Sequence, residues 1–291
     1  MYYIIFNPTA GAGRSIKALK RVEAYLNERD IAYELAETGY VGHAVTLAKD
    51  AIGKGYDGIL SVGGDGTLLE VAESLRGTDE TLGVIPAGTG NDFRQSIGVP
   101  KDPVDALEAV LSGNRRRVDI GLINGEKCFL NVVGTGFDVD VLKNTNRVRR
   151  FLTGGAAYYL GIVMSIIGYK NTTVDITTDS ETLRRTVLLI AVANGKCYGG
   201  GLQIGAQASV TDGLFNVVII NRLPKWRILI ELPKLQRGEL DKISTLEQFT
   251  CSSITIASSD ARRLNMDGEI YGETPSTFRV AEKALSVFCP Q

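Results

Sequence analysis

Apolar and polar positions in the first 120 residues follow two alternating periods. Tyr2 to Phe6 is a short apolar run of strand character, and Ile16, Leu19, Val22 and Leu26 follow it at helical spacing. Ile31 to Thr38 is again strand-like, and Ala44, Leu47, Ala48, Ala51 and Ile52 form a second helical stripe. Gly58 to Val62 as strand, Leu68 to Leu75 as helix and Leu82 to Pro86 as strand continue the order. Such alternation predicts an α/β fold with a mostly parallel sheet and right-handed crossovers, in which ligands bind beyond the carboxyl ends of the strands. Glycine-rich loops at 7–13, 63–67 and 86–92 stand at those ends.

The pattern changes near Asp119. Asn124-Gly125 between the runs Val118 to Ile123 and Lys127 to Val133 is a strong hairpin signal. Thr173 to Thr178, Thr186 to Ala193, Leu214 to Ile220, Ser253 to Ala257 and Phe278 to Val280 read as further strands with few helices between them. The second half is therefore expected to be β-rich and antiparallel, with the boundary around 120 to 125. Phe151 to Tyr169 carries no charge and is flanked by Arg147, Arg149, Arg150 and Lys170. Its length would admit a membrane span. Four glycines, three tyrosines, a threonine and a serine favour a packed or groove-lining helix first and a membrane-surface contact second.

Composition narrows the class. The 291 residues suit two domains, and 32 basic against 33 acidic side chains give a net charge of −1, so nothing draws the chain as a whole to nucleic acid. Cys128, Cys197, Cys251 and Cys289 lie far apart without a Cys-x-x-Cys pair and read as free thiols of a reducing cytosol. The single histidine, His43, argues against a histidine-built metal or triad site. The start, Met1 to Phe6, lacks the basic region of a signal peptide.

Two glycine turns carry the chemistry. Gly63-Gly64-Asp65-Gly66-Thr67 and Pro86-Ala87-Gly88-Thr89-Gly90-Asn91-Asp92 each close an apolar strand. Glycine lets backbone N–H groups approach an anion and tolerates positive φ. The first turn should open a helix, where unpaired N–H groups and the helix dipole face a phosphate. A lone Gly-Gly would suit a ligand-free turn, but the repeated pattern with an acid and a hydroxyl favours phosphate binding. No Walker run exists, and Gly11-Ala12-Gly13-Arg14-Ser15-Ile16 lacks the third glycine of a dinucleotide fingerprint.

Taken in order, Asn7-Pro8-Thr9-Ala10-Gly11, the two glycine turns, Asn194-Gly195-Lys196-Cys197-Tyr198-Gly199-Gly200-Gly201, Thr211-Asp212-Gly213 and Asp267-Gly268-Glu269 resemble the motifs of bacterial diacylglycerol kinases and related lipid kinases over nearly the whole chain. The Gly-Gly-Asp-Gly-Thr element alone is shared with NAD kinases and sphingosine kinases. The glycine-rich 194–201 segment and the late Asp-Gly-Glu resemble the lipid kinases.

The resemblance implies an α/β domain over 1–122 that binds ATP, a β-sandwich domain over 123–282 that takes the lipid, and an active cleft between them. It also implies that a last strand, about 283–291, returns to the first domain. By the same resemblance Asn7, Pro8, Thr9, Ala10, Gly11 and Thr38 line the nucleotide. So do Gly63, Gly64, Asp65, Gly66 and Thr67 with Leu68, Leu69 and Glu70 after them, and Gly88, Thr89, Asn91 and Asp92. Asp212, with the carbonyls of Ser209 and Leu214, resembles a structural Mg²⁺ position. Asp267 and Glu269 match catalytic carboxylates, with Asp267 the first candidate for general base and Glu269 the other. Asp65 is expected to bind a catalytic Mg²⁺ or to organise its water shell, and Asp119 is a candidate for the same carboxylate network.

The implied activity is transfer of the ATP γ-phosphate to a lipid hydroxyl, diacylglycerol giving phosphatidic acid, as in phospholipid biosynthesis. The implied setting is a cytoplasmic, peripherally membrane-associated homodimer with no transmembrane span. The rivals are an NAD or sphingoid-base kinase and a regulator that binds ATP or lipid without turnover. Asp65, Asp267 and Glu269, all present, stand against the regulator. Two departures from the family pattern are Gln203 to Ala206, where a proline is common, and Arg14 in place of an earlier lysine.

Overall fold

A computed structural model describes residues 1–148, 151–152 and 154–290; Arg149 and Arg150, counted above in the basic flank, lie outside the described residues. The chain forms two compact units. The first holds residues 1–120, 210–213 and the segment from Ala281 onwards; the second holds 121–209 and 214–280.

The first unit follows the predicted alternation. Strand β1 (Tyr2–Phe6) leads through a kinked segment (Ala10–Gly13) to α1 (Arg14–Glu28), then β2 (Tyr33–Glu37), α2 (His43–Ala51), β3 (Gly58–Gly63), α3 (Asp65–Leu75) and β4 (Thr81–Pro86). The short α4 (Phe93–Ser96) and α5 (Pro103–Leu111) follow. Asp102 starts α5 by accepting the Val104 N–H at 2.9 Å, with Pro103 at the first helical position. The strands pair in parallel in the order β2-β1-β3-β4. Every residue of β3 and β4 is buried, as expected of strands covered on both faces. On α1 the buried stripe is Ala18, Leu19, Val22 and Leu26; Ile16, which the periodicity assigned to it, is 43% exposed.

Strand β5 (Arg115–Ile123) carries the chain into the second unit and forms the predicted hairpin with β6 (Lys127–Phe129) across a loop in which Asn124 and Gly125 have φ of 53° and 79°. The expected run Lys127 to Val133 is broken, because the chain leaves β6 at Leu130 and resumes as β7 (Val132–Gly136) on other partners. Then come α6 (Phe137–Val148), α7 (Gly154–Gly168), β8 (Thr172–Thr178), β9 (Thr182–Ala193), β10 (Phe215–Asn221) and α8 (Lys225–Gln236). The chain ends in β11 (Leu246–Cys251), β12 (Ser253–Ser258), β13 (Arg263–Met266), β14 (Glu269–Glu273) and β15 (Ser276–Phe288).

Pairing in the second unit is antiparallel, with β9 bonded to β7, β8 and β10. Val187 to Ala193 on β9 are all buried. The helices pack by Phe137 and Val141 of α6, Ile162 of α7, and Ile228 and Leu235 of α8 into one apolar cluster with Leu189, Ala191 and Val218. Strand β15 belongs to both units. Ser276 to Arg279 pair antiparallel with β12, whereas Ser286 and Val287 pair in parallel with Thr81 and Leu82 of β4.

Candidate active site

Three loops at the carboxyl ends of β1, β3 and β4 meet in the first unit. In the loop after β1, Gly11, Ala12 and Gly13 have φ of 61°, 54° and 86°. A Cβ on Gly11 would stand 2.4 Å from the carbonyl oxygen of Ala87, so only glycine lets this loop lie on the turn after β4. Asn7 fixes the start of the loop. Its Nδ2 donates to Thr67 Oγ1 at 2.8 Å, and its Oδ1 accepts from the N–H and hydroxyl of Thr9 at 3.0 and 2.9 Å.

The turns after β3 and β4 touch through glycine. A Cβ on Gly88 would be 2.4 Å from the Cα of Gly64. The reason for glycine here is this closeness and not positive φ: Gly64 has φ −100°, and the left-handed residue of the later turn is Asn91 at 53°. Asp65, the first residue of α3, joins the two turns. Its Oδ2 accepts the Asn91 N–H and its Oδ1 the Asp92 N–H, each at 2.7 Å. Burial pushes the Asp65 carboxyl above its usual range, against the opposing pull of those backbone donors. Asn91 closes its own turn, its Oδ1 accepting the Gly88 N–H at 2.9 Å and its Nδ2 donating to the Gly88 carbonyl at 3.0 Å.

Arg14 spans the loops from above, with Nε donating to the Gly11 carbonyl at 2.9 Å and a guanidinium N–H to Thr89 Oγ1 at 2.7 Å. A cavity of about 10 Å³, lined by Ser61, Gly63, Gly64, Asp65, Asn91 and Arg94, has room for one water at most. At the start of α3 the first N–H groups have no carbonyl within the helix to bond to. Other expected nucleotide residues make contacts within the unit. Leu68 and Leu69 are buried, and Glu70 accepts the Gly42 and Ala44 N–H groups at the start of α2. Thr38 is also buried, its N–H donating to the Phe6 carbonyl at 2.8 Å. Pro8 accepts the Ser15 hydroxyl at 3.1 Å on its carbonyl.

Asp119, 2% exposed, draws distant segments of this unit together. Its N–H donates to the Val210 carbonyl at 2.7 Å, its Oδ2 accepts the Gly213 N–H at 2.8 Å, and its Oδ1 accepts the Lys283 N–H at 2.7 Å. It thereby pins the turn that carries Asp212, an exposed residue flanked in the chain by Ser209 and Leu214. Among the described residues no three His, Cys, Asp or Glu side chains gather as a metal cluster.

In the second unit the Asp-Gly-Glu motif is a hairpin. Met266 pairs with Glu269, and Asp267 and Gly268 form the two-residue turn with φ of 49° and 91°, both positive as a type I′ turn requires. Two acids two residues apart on a strand would share a face, but here Asp267 is a turn residue and Glu269 begins a strand. Asp267 faces the backbone. Its Oδ2 accepts the Leu130 N–H at 2.8 Å, and its Oδ1 accepts those of Asn131 and Val132 at 3.0 and 2.9 Å. Two of these donors, Leu130 and Asn131, lie in the break between β6 and β7, and the third, Val132, opens β7. Glu269 is exposed.

Residues 1–123 match the model of the diacylglycerol kinase catalytic domain, and residues 131–289 match that of the YegS C-terminal NAD kinase beta sandwich-like domain. A diacylglycerol kinase of Mycobacterium tuberculosis is 31% identical over 298 residues, covering 98% of this chain and 94% of the relative. The chain belongs to the diacylglycerol kinase family. A Bacillus subtilis diacylglycerol kinase is 29% identical over 291 residues, 99% of this chain and 96% of the relative. Two Bacillus anthracis structures described as diacylglycerol kinases share the fold of this kinase, with TM-scores of 0.81 and 0.74 at 24% and 22% identity. Both matches cover 99% of this chain, and they cover 97% and 96% of the other.

Among the described residues, the buried acid Asp138 is one that sequence reasoning missed in this kinase. Asp138 lies in the first turn of α6 and is 7% exposed. Tyr198 donates its hydroxyl to Oδ2 at 3.1 Å, and a Cβ on Gly134 would come within 2.4 Å of the same oxygen. Burial pushes the carboxyl up to about 6, with Tyr198, the Val139 N–H and Asn265 opposing. The only signal in the sequence is Gly134 two positions before Gly136, which a strand reading does not explain.

Proposed function

We propose that this kinase transfers the γ-phosphate of ATP to the free hydroxyl of diacylglycerol, giving phosphatidic acid. The observation that carries the reading is the meeting of three glycine loops, two of them joined by both oxygens of Asp65, at the start of α3. That arrangement offers backbone N–H groups and the positive end of a helix to the phosphates. The acceptor oxygen bonds to phosphorus as the bridging oxygen departs with ADP, and a carboxylate takes the hydroxyl proton. Glu269 suits that role better than Asp267, because the oxygens of Asp267 already accept three backbone N–H groups and Glu269 is exposed. Asp65 acts by holding the turns in register.

Mg²⁺ belongs to the same reading. A catalytic Mg²⁺ bound with ATP would neutralise phosphate charge, and a structural Mg²⁺ would be a separate ion. Asp212 with the carbonyls of Ser209 and Leu214 is a hard-oxygen donor set of the kind this ion takes, and the turn bearing Asp212 is fixed by Asp119. An acceptor that partitions into bilayers supports peripheral action at a membrane; a cytoplasmic location and a homodimer rest on the family resemblance. The test is purified protein with γ-labelled ATP and Mg²⁺, offered diacylglycerol, sphingosine and NAD in separate reactions. Label in phosphatidic acid is the expected result. Label on NAD or sphingosine with none on diacylglycerol overturns the reading.

A further inference from the structure

Two helices of the second unit turn apolar side chains outward. On α7 the buried positions Ala157, Ile162 and Ser165 lie on one face, and Tyr159, Leu160, Val163 and Ile167 on the other are 63%, 41%, 46% and 71% exposed. On α8, Ile228 and Leu235 are buried, whereas Trp226, Leu229 and Ile230 are 65%, 54% and 53% exposed. The inner faces of both helices rest on one core cluster. Lys225 Nζ donates to the Ile167 carbonyl at 2.7 Å, so the start of α8 lies against the end of α7 and their outer faces adjoin. A surface helix of a globular protein ordinarily carries polar residues on that side. A contiguous exposed apolar surface marks contact with another apolar phase.

The charges choose the phase. Residues 154–168 of α7 contain no ionisable acid or base beyond tyrosine, and exposed Lys170, Arg222 and Lys225 border the patch. The one acid of α8, Glu231, is buried and paired with Arg227 at 3.4 Å and Lys234 at 2.7 Å, so it does not offset this positive border. A second copy docking by the same face would set cations against cations, since a two-fold interface places like patches opposite each other. An anionic bilayer answers both features: Trp226 and Tyr159 suit the headgroup level, the aliphatic residues the acyl boundary, and the basic border the phosphates. We propose that the outer face of α7 and α8 is the surface by which this protein docks on anionic phospholipid bilayers. The proposal deepens the lipid-kinase reading and rests on it.

Trp226 is the single tryptophan of the chain, so its fluorescence reports on this face alone. Phosphatidylcholine vesicles containing phosphatidylglycerol are expected to shift its emission to the blue and to pellet the protein, and vesicles with brominated acyl chains to quench it. Phosphatidylcholine alone should do so more weakly, and added salt should reduce the effect. The variant Val163→Ser/Leu229→Ser, altered only at exposed positions, should bind anionic vesicles at least about tenfold more weakly. It should phosphorylate a short-chain, water-soluble diacylglycerol at the wild-type rate. Wild-type protein left in the supernatant with anionic vesicles at low salt overturns the docking surface. So does a concentration-dependent blue shift without vesicles that tracks dimer formation, which would give the face to a second copy. Loss of phosphorylation of the soluble lipid by the wild type would instead overturn the kinase reading.

Discussion

Asp138 is a buried acid whose charge state bears directly on stability. Its folded pKa is raised to about 6 from an ordinary 3.8, so the native state binds its proton more tightly than the unfolded chain does. The penalty of the buried charge is present in full above pH 6, fades as pH falls toward 4, and is absent below the unfolded value. Asp138→Asn, which keeps an acceptor for Tyr198, is expected to stabilise the protein at pH 8 by up to about 3 kcal/mol, with the advantage shrinking at pH 5. Urea unfolding of both proteins at the two pH values measures it; an advantage independent of pH would contradict the assignment. The two hairpin acids separate by a different measurement. Glu269→Gln should lower kcat about a hundredfold with an unchanged melting temperature. Asp267→Asn should lose about 1–3 kcal/mol of stability through its backbone partners. Near-normal turnover in Glu269→Gln would remove it as base.

At the scale of elements, the proposed nucleotide cradle depends on two turns approaching with no side chain between them. Gly88→Ala inserts a Cβ where the Cα of Gly64 stands 2.4 Å away, and must drive the turns apart or strain Asp65 off its two N–H partners. Overpacking of this kind costs about 1–3 kcal/mol. ATP affinity, read by titration calorimetry, is expected to fall below detection while the second unit still folds; wild-type affinity would show that the contact is not essential. These turns were legible in the sequence because each ends an apolar run and opens or precedes a helix. The clamp between them was not, since a carboxylate bonded to backbone N–H groups 26 and 27 positions away leaves no periodicity. Nor were α6 and α8. The first opens Phe-Asp-Val-Asp-Val, which alternates like a strand, and the second buries Glu231 and contains Pro233, against both of the usual helix cues. The Asp-Gly-Glu motif misled on geometry because Asp-Gly is foremost a turn signal, and the turn prevailed.

The whole molecule is interleaved in sequence. The first unit takes Val210–Gly213 and the end of β15 as well as the amino-terminal 120 residues, and Asp119 holds both late segments by their N–H groups. A fragment of residues 1–123, although it matches a whole catalytic-domain model, lacks the strand that covers the edge of β4. It is expected to aggregate and to show no cooperative thermal transition, and mixing with a 124–291 fragment should restore some nucleotide binding. A soluble, cooperatively melting 1–123 fragment would refute this.

The placement of β15 also has a meaning in time. Ribosomes release β4 long before residues 281–288, and at about 5–20 residues per second the interval is on the order of ten seconds or more. Throughout it the nascent chain has a naked sheet edge and an Asp119 without its Lys283 partner. Chaperone occupancy should therefore persist on stalled chains that stop short of β15 and fall once it emerges. The capacity to bind nucleotide would arrive late in synthesis, all at once, after the second unit has already been made.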